Sequence, residues 1–145
     1  MREIAKSNRP RLDIKEMYFI PWDKWPSLLD QYLMRANTLV AYFPGDGDMA
    51  YGFEIIAALP EAVIEDWNGM IGVPGKKVTI PVNEKLRQAI PLLVHCPECH
   101  ETLWSFELIA DDDVIFRIGD YNVCTARQID NLLDTTKFSK AYQPE

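Results

Sequence analysis

The sequence predicts an α+β fold: a single domain with a mainly antiparallel sheet and about four helices. The chain has 145 residues, the size of one ordinary domain. Hydrophobic residues make up 48% of it and aromatic residues 11%. This content is enough to build a core, with roughly two-thirds of the unfolded surface buried on folding, and it excludes a disordered regulator. Helical spacings of apolar residues alternate with short segments rich in β-branched and aromatic residues, which predicts helices and strands in the same domain.

Both ends of the chain differ from the segment between them. Residues 1–12 are predicted to form a flexible basic arm, residues 13–138 the α+β domain, and residues 139–145 a frayed tail. Pro10 and Asp13 interrupt the sequence before any apolar run, so no secretory signal is predicted. The apolar stretches are far shorter than the roughly 20 residues of a transmembrane helix, and we expect a soluble, cytoplasmic protein.

The first predicted elements are a short strand and a helix. Residues 14–20 mix apolar and charged side chains and end at Pro21, which is typical of a strand. Asp23 is a suitable N-cap, and apolar residues recur at helical spacing up to Asn37. The sequence therefore predicts a helix that begins after Asp23, with Trp25 or Pro26 in its first turn, and extends to Asn37.

A hairpin followed by a second helix is predicted next. Residues 38–43 favour a strand, residues 44–48 favour a turn, and residues 51–59 are expected to return as the second arm. Pro60 then begins a segment with apolar residues on one helical face and acidic residues near its N-terminus, where the helix dipole favours them. The sequence therefore predicts a short helix at residues 60–67.

A further strand and a third helix follow. Residues 77–82 alternate as a strand does, although Pro81 places that strand at an edge or at a strand end. Asn83 is a suitable N-cap for a helix that ends near Pro91, because the residue before a proline disfavours the helical conformation.

The last third of the chain predicts a second hairpin and a fourth helix. Residues 102–110 and 114–123 flank three consecutive aspartates like the two arms of an antiparallel hairpin. Thr125 with Gln128 three residues later matches a capping box, and apolar residues follow at helical spacing. This pattern predicts the fourth helix.

A cysteine-histidine cluster is the main candidate for a metal site. Cys96 and Cys99 are flanked by His95 and His100, and Cys124 follows after a gap long enough for a hairpin. The Cys-Pro-x-Cys spacing resembles half of a zinc ribbon, whose usual second cysteine pair is absent here. We predict a structural Zn²⁺ bound by Cys96, Cys99, Cys124 and His100, with His95 as the alternative fourth ligand. Four protein ligands would leave no position for a catalytic water.

Three other interpretations of this cluster remain open. The Cys-x-x-Cys-His spacing is also that of a c-type haem attachment site, which would need export. A redox dithiol would need a thiol at a helix N-terminus, whereas the segment after Cys99 favours a strand. The thiols could also be reduced, buried residues that bind no metal. An odd count of three cysteines argues against a disulfide framework.

Acidic residues dominate two long stretches of the chain. Asp plus Glu number 22 against 15 Lys plus Arg, which gives a formal net charge of -7. Residues 36–75 and 88–116 contain no lysine or arginine. If these stretches share a face, they would attract a basic partner, although aspartate is also common in turns for purely local reasons. The predicted partner-binding residues are Asp46, Asp48, Glu61, Glu65, Asp66, Asp111, Asp112 and Asp113.

These features favour a binding protein over an enzyme. We predict a small acidic protein that neutralises a basic nuclease or other cationic toxin, as an inhibitor or immunity-type partner, because its acidic surface can occupy a basic cleft. Its charge argues against direct binding of nucleic acid or of an anionic membrane. The first alternative is a zinc-stabilised adaptor or subunit of a larger complex. The second is a cysteine-dependent enzyme built around Cys124 and His100, although the sequence contains no phosphate loop or dinucleotide fingerprint.

Overall fold

The computed structural model of the chain describes residues 17–44, 50–70, 73–94, 105–119 and 123–141. Within these ranges the chain forms three helices and one sheet of eight strands, in which all neighbouring strands are antiparallel. The helices are α1 (Trp25–Leu33), α2 (Ala50–Ala57) and α3 (Glu84–Val94). The strands are β1 (Met17–Ile20), β2 (Thr38–Pro44), β3 (Val63–Met70), β4 (Val73–Pro81), β5 (Phe106–Ala110), β6 (Asp113–Gly119), β7 (Val123–Arg127) and β8 (Ser139–Lys140). They lie in the order β3-β4-β2-β5-β6-β7-β1-β8.

The mainly antiparallel sheet with some helix is confirmed, and several elements lie where the sequence predicts them. Helix α1 has the predicted proline in its first turn, but its N-cap is Lys24 and not Asp23, and it ends at Leu33, before the predicted end at Asn37. Helix α3 begins as expected, because the side-chain oxygen of Asn83 accepts a 3.0 Å hydrogen bond from the backbone N–H of Leu86. It does not end near Pro91 as predicted, since it continues to Val94. No helix in the described ranges is long and apolar enough to cross a membrane.

Two predictions for residues 51–67 are wrong, because helix and strand are exchanged. The predicted strand at 51–59 is helix α2, whose buried Ile56 and partly buried Phe53 are three residues apart and pack on the same core. The predicted helix at 60–67 is strand β3. Glu61 has a φ of 70°, which a right-handed helix does not permit, and the β-branched residues after it pair with β4 instead.

The predicted fourth helix is also wrong, and the described ranges contain three helices. Thr125 lies in strand β7 between β6 and β1. Gln128 does not cap a helix, because its side-chain amide donates to the Leu133 carbonyl at 2.8 Å and accepts from the Leu133 N–H at 2.9 Å. Asp130 and Asn131 both have a positive φ, which interrupts any helix there.

One face of the sheet packs against the helices. Trp25 of α1 meets Phe106 of β5 and Phe116 of β6 with ring centroids 6.3 Å apart in both pairs. The hydroxyl of Tyr32, also on α1, donates a 2.6 Å hydrogen bond to the carbonyl of Arg127 in β7. The three helices all contribute buried residues to the cluster that contains these rings. The core therefore lies between the helices and this face, which we call the core face.

The opposite face of the sheet carries a different set of side chains. Val40 and Met17 are buried there but do not belong to the core cluster. Because side chains alternate along a strand, Phe19, Tyr42 and Glu107 also lie on this side. We call it the open face.

Candidate protein-binding surface

Strand β3 is exposed on both of its faces. It ends the strand order and pairs with β4 alone among the described strands. Val63 is 54% exposed and Ile64 is 46% exposed; as successive residues of a strand they point to opposite faces. Val78, the β4 residue opposite Ile64, is 0% exposed. The helical layer therefore covers β4 but leaves β3 open to solvent.

Two of the predicted acidic residues lie in the middle of β3, and each faces a lysine of β4. The Nζ of Lys76 is 2.6 Å from the Oδ1 of Asp66, and the Nζ of Lys77 is 3.8 Å from the Oε1 of Glu65. The hydrogen bond and charge of Lys76 hold the pKa of the Asp66 carboxyl below its usual value. Both carboxylates remain largely exposed, so these pairs contribute little to stability.

The next predicted acidic residues form the turn between β5 and β6. Asp111 has a φ of 52° and Asp112 a φ of 71°, and Ala110 pairs with Asp113 across them. Two successive residues in the left-handed region form the tight turn that an antiparallel hairpin favours, and aspartate tolerates that conformation well. Three strand spacings separate β5 from β3, roughly 14 Å at about 4.8 Å each.

The predicted acidic surface is therefore divided between two places in the described part of the chain. Glu61 leads into β3, where Glu65 and Asp66 follow. The aspartates of the β5–β6 turn form the second group. Asp46 and Asp48 lie outside the described residues.

A connected group of aromatic and charged side chains crosses the open face, and no local sequence pattern predicts it. The ring of Trp67 in β3 lies 4.9 Å from that of Tyr42 in β2. The Tyr42 hydroxyl donates to the Oε1 of Glu107 at 3.2 Å. Arg117 holds the Oε2 of Glu107 with its Nε at 2.8 Å and its Nη2 at 2.6 Å. These contacts tie together strands β3, β2, β5 and β6 from the side away from the helices.

The pKa of the Tyr42 phenol depends on the other side chains of this group. Burial and the neighbouring Glu107 carboxylate raise the pKa of Tyr42 to about 12. We expect Glu107→Gln to lower this pKa toward the usual value of 10.0, because it removes the negative charge beside the phenolate. An absorbance titration of the phenolate near 295 nm, with Tyr42→Phe as the blank, measures the shift. An unchanged pKa in Glu107→Gln would contradict the arrangement.

The same pKa has a consequence for stability at high pH. The folded state holds the Tyr42 proton more tightly than the unfolded state, whose phenol ionises near its usual pKa of 10.0. The contribution is fully present below pH 10 and is lost as the pH rises toward 12. The free energy of unfolding should therefore fall across that interval, and it should fall less in Tyr42→Phe. Equal slopes in urea denaturation at several pH values would contradict this expectation.

Cys124, the described member of the predicted zinc set, lies in the core. It is 2% exposed and pairs with Ile118 of β6 and Ile20 of β1. Burial raises the pKa of its thiol well above the usual value. A protonated, buried thiol is a poor nucleophile, which disfavours a catalytic role. Cys124 also contributes to the lining of a groove of about 400 Å³ beside the exposed side chains of Phe19 and Val123.

The other proposed zinc ligands, Cys96, Cys99 and His100, and the alternative ligand His95, lie outside the described residues. Among the residues that are described, no three His, Cys, Asp or Glu side chains are grouped so that they could hold a metal ion. Zinc binding remains a prediction. Native mass spectrometry tests it, because a structural site would add the mass of one zinc ion that a chelator removes with loss of stability.

The buried position of Cys124 predicts slow chemical modification. In the unaltered protein, we expect N-ethylmaleimide to react with native Cys124 on the order of a hundredfold more slowly than in urea. The physical reasons are its low exposure and its protonated thiol. Mass spectrometry of the proteolytic peptide that contains Cys124, taken at successive times, gives the rate. A native rate equal to the unfolded rate would place Cys124 outside the core.

Comparison with models of protein families, with curated proteins and with solved structures finds no match to this chain.

Proposed function

We propose that the protein is a non-catalytic binder of a cationic partner protein, and that it acts as an inhibitor or immunity-type partner of a basic nuclease or other cationic toxin. One observation carries the proposal. Strand β3 places two exposed apolar side chains, Val63 and Ile64, directly before two exposed carboxylates, Glu65 and Asp66.

The exposed apolar side chains of β3 favour binding to another protein. An edge strand with exposed β-branched residues pairs readily with other chains, and proteins normally cover or interrupt such edges. Burying Val63 and Ile64 against a partner removes apolar surface from water, which favours association. On the open face, the exposed surface continues from Val63 inward to Trp67 and Tyr42.

The exposed carboxylates of β3 favour a basic partner over an acidic one. The net charge of -7 attracts cations over a distance, and Glu65 and Asp66 provide carboxylates at the contact itself. Lys76 and Lys77 approach these carboxylates from the β4 side only. A nuclease must carry a basic cleft to hold phosphates, so it belongs to the class of partner that this surface would attract.

The dependence of the association rate on salt tests this proposal. The partner is recovered from the source cells on the immobilised protein, identified by mass spectrometry and purified. We expect a basic protein whose association rate falls about tenfold or more between low salt and about 0.5 M salt, because salt screens the attraction. An acidic partner, or an association rate that does not change with salt, would contradict the proposal.

A further inference from the structure

We propose that the cationic partner binds as an added strand, in which an extended basic segment pairs with the outer edge of β3. This inference rests on the proposed function and specifies how the partner is held. An added strand would lie beside β3 and extend the eight described strands of the sheet by one. Main-chain hydrogen bonds then provide affinity, and side chains on the two faces provide specificity.

The outer edge of β3 is available in the described part of the chain. Pairing with β4 uses one side of β3, and no described strand lies on the other. In an antiparallel ladder, alternate residues direct their N–H and C=O groups to each side, so the outer side presents a row of donors and acceptors. The regular register runs from Val63 to Trp67 before a bulge shifts it. The regular part of the edge can therefore pair with a segment of about five residues.

The existing pairing of β3 with β4 indicates which side chains fit opposite those of β3. Residues 76–79 of β4, with the sequence Lys-Lys-Val-Thr, lie opposite residues 66–63 of β3. Basic side chains thus face Asp66 and Glu65, and β-branched ones face Ile64 and Val63. A sheet residue has one cross-strand neighbour on each side. A partner strand with two basic residues followed by two β-branched residues would repeat these pairings on the outer side.

Charge disfavours a second copy of this chain as the occupant. Pairing two β3 strands in antiparallel register about a two-fold axis at Glu65, the centre of the regular edge, would place the Glu65 carboxylates of the two chains directly opposite each other. Like charges directly opposite each other destabilise a sheet. A basic segment meets attraction at the same positions. The occupant is therefore a different protein with a cationic extended segment.

Synthetic peptides test the inference directly. The probe is a capped, fluorescent peptide with the sequence of residues 75–80, Gly-Lys-Lys-Val-Thr-Ile. Two isomers carry N-methyl groups on alternate residues, one on the odd positions and one on the even positions. Both have the same charge and number of methyl groups, but only one blocks the N–H groups that would face β3. We expect that isomer to bind about tenfold or more weakly than the parent peptide and the other to bind nearly as well.

The peptide experiment tests strand addition separately from the proposed function. Equal loss for both isomers, no loss for either, or no binding of the parent peptide overturns strand addition. The association of the purified partner and its salt dependence then decide the proposed function separately. A scrambled peptide of the same composition is the control for simple charge attraction. Equal binding of the parent and scrambled peptides would also overturn strand addition.

Discussion

Trp25→Ala is expected to lower the free energy of unfolding by about 3–5 kcal/mol, which is the usual cost of removing a large buried aromatic side chain. Trp25 is 0% exposed and lies between the helical layer and the sheet. Its ring contacts those of Phe106 and Phe116 edge-on. Alanine would leave a cavity at the point where α1 packs on β5 and β6. The core cannot close around it without moving one of these elements.

Trp22→Ala is the matched control for this prediction. The two tryptophans are three residues apart, but Trp22 is 62% exposed. We expect the control to change the free energy of unfolding by no more than about 0.5 kcal/mol. Urea denaturation followed by far-ultraviolet circular dichroism measures both variants without relying on tryptophan fluorescence. Similar losses for the two variants would contradict the placement of Trp25 at the centre of the core.

Neutralising the carboxylates of β3 is expected to have the largest effect on partner binding. In the double variant Glu65→Gln and Asp66→Asn, we expect the association rate with the cationic partner to fall about tenfold. The substitutions keep the size of each side chain and remove charge at the contact. Glu65→Lys with Asp66→Lys should slow association further, because it places positive charge where the partner is basic. Stopped-flow or surface-based kinetics at low salt measures the rates.

A second pair of acidic residues supplies the control for net charge. Asp111→Asn with Asp112→Asn removes the same number of charges from the exposed β5–β6 turn, and asparagine tolerates the positive φ found there. We expect less than about a twofold change in the association rate, because the turn lies roughly 14 Å or more from β3. An equal loss in both double variants would show that overall charge, and not β3, controls binding.

Local sequence patterns were sufficient for several elements of the fold. The start of α3 depends on the Asn83 cap, which acts within one turn of the chain. The β5–β6 hairpin depends on turn residues between two β-rich arms, which is also a local signal. Residues 51–67 differ, because their apolar residues fit either period. In the folded protein, Phe53 packs on Phe43 and β3 pairs with β4, contacts that no local pattern encodes.

The candidate surface was predictable only in part. Glu65 and Asp66 were identified from the absence of basic residues near them in the sequence. Lys76 and Lys77, which face these carboxylates across the β3–β4 pair, lie just after the stretch of residues 36–75 that contains no basic residue. The contact between Glu107 and Arg117 depends on a bulge that shifts the β5–β6 register by one residue. A hairpin predicted without the bulge would place Glu107 opposite Phe116.

Hydrogen exchange of the β3 backbone amides in the complex tests the central claim most directly. The purified protein is compared with and without its partner at low salt, and exchange is followed by mass spectrometry over peptides that cover Val63 to Trp67. We expect slower exchange at the outward-facing amides of β3 when the partner is bound, because they then donate to an added strand. Protection confined to other parts of the chain, with β3 unchanged, would contradict the claim.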